Sequence, residues 1–168
     1  SEMCIRDSPP HRERERALDN KDPGEAEPIK FENSVISKGN IVNDITDDGK
    51  GGAWLCSDEF LIHLNLKDRS LQKYKISKDL LTGNLRNICR SSDRIYIGTR
   101  NSGLLVFDPS TASTEPYIDL DCPVIADLNS DGKDLLYVAT DGNGAYIIDT
   151  RKRQIVNTYR TNTADFPL

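Results

Sequence analysis

The 168-residue chain lacks most of the features that mark membrane, nucleic-acid-binding or catalytic proteins. No apolar run approaches the about eighteen residues needed to span a bilayer, and the first thirty residues lack the apolar core of a secretory signal. Basic side chains number 22 against 27 acidic ones, for a net charge of −5, without the clustered positive charge that a nucleic-acid footprint requires. Cysteines are few: Cys56, Cys89 and Cys122 stand 33 residues apart with no C-x-x-C pair, so neither a zinc site nor a disulfide framework is indicated, and Cys4 lies at the very start. There are two histidines, and only His63 lies in the part expected to fold, in the middle of an apolar run, so the nucleophile, base and orienting acid of acyl transfer are not indicated. No Gly-x-Ser-x-Gly elbow is present, and "DGKGG" lacks the Lys-Ser/Thr ending of a phosphate loop.

What the chain has instead is repetition. "IYIGTRNSGLLVFD", Ile95 to Asp108, aligns without a gap on "LYVATDGNGAYIID", Leu136 to Asp149, with Tyr96 and Asp108 falling 41 residues before Tyr137 and Asp149. Forty-two residues before Tyr96 stands Trp54, at the head of "AWLCSDEFLIHLN". Each unit opens with an apolar segment and a polar turn and closes on a tyrosine, Tyr74, Tyr117 or Tyr159. Three units of about 42 residues result, each with about four strand-like segments.

That period selects an architecture. Four short strands separated by turn residues in units of roughly 40 to 45 residues predict an all-β fold of propeller blades, and the 3.6-residue apolar spacing of helical repeats is missing. The third segments, "FLIHL", "LLVF" and "AYII", are nearly unbroken apolar runs, which a sheet sandwiched between two neighbours requires. Expected blades span about 39–78, 82–120 and 122–161, with 162–168 beginning a further one. Trp54, Tyr96 and Tyr137 share one register position and are expected to pack against the next blade. Cys56, aligned with Gly98 and Ala139, reads as a small buried hydrophobe, and His63, aligned with Val106 and Ile147, as a packed or edge-facing side chain.

Residues 1–28 differ in kind. "SEMCIRDS" resembles the peptide translated from a sequencing-adapter remnant in metagenomic reads, and is set aside from the fold. "PPHRERERALDNKDPGEAEP" mixes charge and proline with almost no large apolar residue, so a disordered tail is expected, with order beginning near Ile29 to Phe31.

The repeat resembles the two-component regulator propeller of bacterial hybrid sensor kinases. The matching positions are Ile45, Asp48, Gly51, Trp54, Leu55 and Ser57 in the first unit. In the second they are Ile88, Tyr96, Ile97, Gly98, Thr99, Gly103, Leu104 and Asp108. The third has Asp131, Tyr137, Val138, Thr140, Gly144 and Asp149, but Ala139 and Ala145 replace the family's Gly and Leu. The resemblance covers about Gly39 to Leu168. It implies a piece of a periplasmic ectodomain that senses an extracellular ligand, often an oligosaccharide, without catalysis or cofactor. Its partners would be the remaining blades and the membrane and kinase parts of a larger sensor. The third unit also resembles quinoprotein-like or YVTN-type propellers that bind a ligand or protein, which stays open as an alternative. A fragment of a propeller enzyme, a lyase or dehydrogenase, is a third reading.

Two features bear on a site. "DLNSDG", Asp127 to Gly132, matches the first half of a calcium loop, but the twelfth position is Val138 in place of a bidentate Glu, so a hairpin turn is expected and no metal. Ligand contacts are expected on the rim formed by the loops between second and third strands, at Asp58, Glu59, Arg100, Asn101, Asp141 and Asn143.

Overall fold

The computed structural model describes residues 41–160. The expectations for the tail at 1–28, for order beginning at Ile29 to Phe31 and for a further blade starting at 162–168 lie outside the described residues.

Within the described residues twelve strands form three four-stranded antiparallel meanders, so the fold is all-β and this part of it is three blades of a partial propeller. Blade I comprises β1 (Asp44–Asp47), β2 (Gly52–Cys56), β3 (Phe60–Asn65) and β4 (Ser70–Lys75). Blade II comprises β5 (Leu85–Ser91), β6 (Arg94–Thr99), β7 (Leu104–Asp108) and β8 (Ser113–Pro116), and blade III β9 (Ile125–Ser130), β10 (Leu135–Thr140), β11 (Ala145–Asp149) and β12 (Gln154–Tyr159). The sequence repeat is a register repeat, since Trp54 pairs with His63, Tyr96 with Val106 and Tyr137 with Ile147.

Acidic side chains build the turns. Asp48 Oδ1 accepts the amides of Lys50 and Gly52 at 2.7 Å each, and Asp131 Oδ1 accepts those of Lys133 at 2.8 Å and Leu135 at 3.0 Å. The shorter second repeat closes with Ser92 at φ 51°. Asn65, Asp108 and Asp149 each accept an amide two residues on, and the fourth residue after each, Arg69, Ala112 or Arg153, is left-handed at φ 57°, 55° and 51°. In "DLNSDG" Asp127 to Ser130 therefore belong to β9, and the hairpin turn begins at Asp131, whose Oδ1 is taken by its own backbone donors.

Two apolar layers hold the blades face to face. Trp54, Cys56, Leu61 and Tyr74 of blade I meet Ile88, Ile95, Ile97 and Phe107 of blade II, and Tyr96, Leu104 and Val106 of blade II meet Leu136, Val138, Tyr146 and Ile148 of blade III. Phe107 sits 5.5 Å from the Trp54 ring centre and 5.0 Å from that of Tyr74. Among the described residues only the middle blade is covered on both faces, and there the run "LLVF" is buried at every position. Gly98 is bound to be glycine because a Cβ there would collide with Asn87 Oδ1 and with Ile125 of the next blade.

The inner strands are also tied by polar contacts. Asp44 Oδ2 of blade I accepts the Ile88 amide of blade II at 2.9 Å, and Asn87 Nδ2 of blade II donates to the Ala126 carbonyl of blade III at 3.0 Å. Tyr137 departs from its aligned partners. Trp54 and Tyr96 are buried at 5% and 4% exposure, whereas Tyr137 is 39% exposed, because its face of blade III has no sheet against it among the described residues.

Candidate functional site

The loops between second and third strands reach the segments leading into the next blade. The Leu85 amide donates to the Asp58 carbonyl at 2.9 Å, and the Gly103 amide to the Pro123 carbonyl at 2.9 Å. These loops therefore share a rim with the segments that lead into the inner strands.

On that rim Asp58 and Arg100 line one depression of about 300 Å³, together with Asn43, Asn84, Leu85 and Arg86. Asn43 Nδ2 donates to Asp58 Oδ1 at 3.1 Å and to the Leu85 carbonyl at 2.6 Å, which orients the carboxylate across the seam between blades I and II. Neither Arg86 nor Arg100 has an ion-pair partner among the described residues, so the depression is lined by two unpaired guanidinium groups and one held carboxylate. The other rim residues are dispersed. Glu59 pairs with Lys75 at 3.6 Å with both side chains about half exposed, a contact worth little. Asn101 lines a separate depression between blade II and the connector that follows it, Asp141 is exposed, and Asn143 is spent on holding its loop through bonds to the Leu120 carbonyl at 2.9 Å and the Tyr146 hydroxyl at 2.7 Å. Asn43 and Arg86 escape the sequence reading because they lie outside the loops between second and third strands, Asn43 just before β1 and Arg86 within β5.

A larger cleft of about 480 Å³ opens on the opposite rim, between the β1–β2 turn and the β5–β6 and β7–β8 turns. Its floor is His63, whose ring stacks on Trp54 at 4.4 Å while Nε2 lies 2.9 Å from Asp48 Oδ2. Burial works to raise the Asp48 pKa, but the His63 side chain and the amides of Gly52 and Lys50 outweigh it and hold the carboxyl below its ordinary value. Arg90 is bound to Asp47 and Arg94 to Asp93 and Asp108, leaving Lys50 as the one lining cation without an ion pair among the described residues. Sequence reasoning placed His63 in the packing and missed Asp48 as its partner. The available signal was a histidine at a register position that is apolar in both other blades.

The described cysteines are free thiols. Burial pushes the Cys56 pKa up to about 12 and that of Cys89 to about 11, the reverse of what a nucleophile needs. No group of three or more His, Cys, Asp or Glu side chains placed to hold a metal occurs among the described residues.

No family model matches the chain, and no curated protein matches it in sequence. In structure it is similar to the extracellular domain of the putative hybrid two component system BT3049 from B. thetaiotaomicron, with TM-score 0.57 and 20% identity over 77% of this chain. It is also similar to U3-55K, with TM-score 0.64 and 10% identity over 75% of this chain. The chain spans 20% of the length of the first and 41% of the second. At these identities the likeness establishes the shared fold.

Proposed function

We propose that the chain is a segment of the extracytoplasmic, ligand-sensing propeller of a two-component regulatory system, and that its rim binds an oligosaccharide without turning it over. The observation that carries this reading is the depression where Asp58, Arg86 and Arg100 converge from two blades with Asn43 orienting the carboxylate. A carboxylate held by Asn43 in a depression that two guanidinium groups also line suits a hydroxyl-rich ligand, whose vicinal hydroxyls accept from a guanidinium fork and donate to a carboxylate. Support for the setting comes from the repeat's resemblance to regulator propellers and from the structural likeness to an ectodomain of a hybrid two component system. Binding without catalysis fits the one histidine of the described residues, which is stacked on Trp54 and paired with Asp48.

The test is a calorimetric screen of the purified chain against a panel of oligosaccharides, with mass spectrometry of the sugars afterwards. Saturable binding of an unchanged sugar is expected, weakened about tenfold or more by Arg100→Ala, equivalent to about 1.4 kcal/mol. Binding that survives Arg100→Ala but falls in Lys50→Ala would move the site to the opposite cleft. Cleavage or elimination products would replace the sensor with an enzyme.

A further inference from the structure

The rim depression departs from the repeat in its charge. Asp44, Asn87 and Asp127 share one register position, opposite Cys56, Gly98 and Ala139. The residues just before them, Asn43, Arg86 and Ala126, are therefore equivalent, as are Asp58, Arg100 and Asp141, each two residues beyond the second-strand partner. In blades II and III the first of each pair is the extra residue of a β-bulge: Leu85 and Asn87 pair with the adjacent Thr99 and Gly98, and Ile125 and Asp127 with Thr140 and Ala139. The second is fixed by its amide, which donates to the Asn84 carbonyl at 3.0 Å in blade II and to the Val124 carbonyl at 3.0 Å in blade III.

One backbone frame thus carries two different pairs. Blade III has Ala126 and Asp141 in it, so nothing in the frame demands arginine, yet blade II has arginine at both places. Both arginines are exposed, and neither side chain makes an ion pair or a hydrogen bond among the described residues. Like charges on neighbouring strands repel, and a bulge re-aims the side chain that it carries, a device common beside binding sites. Across the seam Asn43 and Asp58 bring one carboxylate, so two guanidinium groups line the depression with a single acid. No aromatic ring lines it, and its one apolar side chain, Leu85, is fully buried. An uncharged ligand would find none of the hydrophobic lining on which small-molecule pockets mostly rely.

Resting on the reading of this rim as an oligosaccharide site, we propose that the oligosaccharide is acidic: an oxyanion on the sugar, a uronate carboxylate or a sulfate ester, binds to Arg86 and Arg100 while a neighbouring hydroxyl donates to Asp58. A guanidinium offers an oxyanion parallel N–H donors, and such charge-assisted bonds are about twice as strong as those between neutral groups. Asp58 sets the orientation, since an oxyanion placed against it would meet a like charge.

The test titrates the full chain calorimetrically with matched oligosaccharides: uronate-containing oligomers, the same oligomers with each carboxyl reduced to the alcohol, and neutral oligomers of equal length with and without sulfate esters. Binding is expected in the uronate or the sulfated set, and whichever set binds identifies the source of the oxyanion. Removing the charged group should weaken binding about tenfold or more, and raising salt from about 50 to 200 mM should weaken it about threefold. Arg86→Gln and Arg100→Gln should each weaken binding of the acidic oligomer about tenfold, while moving Tm by no more than about 2 °C because both side chains are exposed. An uncharged oligomer that binds as tightly as its acidic counterpart, with Arg100 still required, would overturn the acidic assignment and leave the oligosaccharide site standing. Acidic oligomers whose binding neither substitution changes would overturn it as well. Absence of binding in every set would instead end the reading of this rim as a sugar site.

Discussion

Asp48 Oδ2 lies 2.9 Å from His63 Nε2, and the same carboxylate's Oδ1 accepts the Lys50 and Gly52 amides. One side chain thus closes the β1–β2 turn and holds the imidazole flat on Trp54. Its side chain is only 8% exposed. Asp48→Ala should cost about 1–3 kcal/mol in urea unfolding, since the amides and the imidazole lose a charged acceptor. His63→Ala, which leaves the turn intact, should cost less. Equal losses would show that the turn is not the larger part.

Asp48, Asp68, Asp108 and Asp131 are all held below the ordinary carboxylate value of 3.8. For Asp131 the leading causes are the Leu135 and Lys133 amides, and for Asp68 and Asp108 the hydroxyls of Ser70 and Ser110. A depressed folded pKa means that the unfolded chain binds protons first, so stability is fully present above about pH 4 and is lost as pH falls through the lowered values. Unfolding free energy measured from pH 6 to pH 2 should stay flat to about pH 4 and then fall. In Asp131→Asn the fall should be shallower.

Calcium should leave the melting temperature unchanged, because Asp131 Oδ1 is already occupied by two amide donors of its own turn. Asp131→Ala should lower the melting temperature equally with and without calcium. A saturable rise that disappears in the variant would reassign the turn as a metal loop.

The three β3–β4-type turns put Arg69, Ala112 and Arg153 in the left-handed region. Ala112 has no side-chain role there, so Ala112→Gly should stabilise the chain by up to about 1 kcal/mol, measured by urea unfolding. Arg153→Gly should not, because Arg153 ties blade III to Glu115 and to the carbonyls of Pro116 and Tyr117.

The blades were legible in the sequence because a sheet's period of two and a 41–42-residue repeat together place every strand. Trp54, Tyr96 and Tyr137 do occupy one register position. What a repeat cannot carry is a deviation from itself. His63 stands where Val106 and Ile147 stand, and its partner Asp48 comes from a turn 15 residues away that serves a backbone purpose in every reading. Tyr137 has the sequence environment of a core residue but, among the described residues, not the neighbour that would bury it. On the rim, Asp58 and Arg100 converge while Asn143 is absorbed by its own loop, and the difference lies in side-chain direction, which polar loop composition does not encode.

The central claim is that the sheets stack as blades and that the rim joining them, at Asp58 and Arg100, holds the ligand. Hydrogen exchange of the chain with and without an oligosaccharide from the binding screen tests it most directly. The account predicts slowed exchange confined to amides 57–59, 84–86 and 100–103, with 48–50 and 92–94 unchanged. Slowing at 48–50 and 92–94, or a panel in which no oligosaccharide binds, would contradict it.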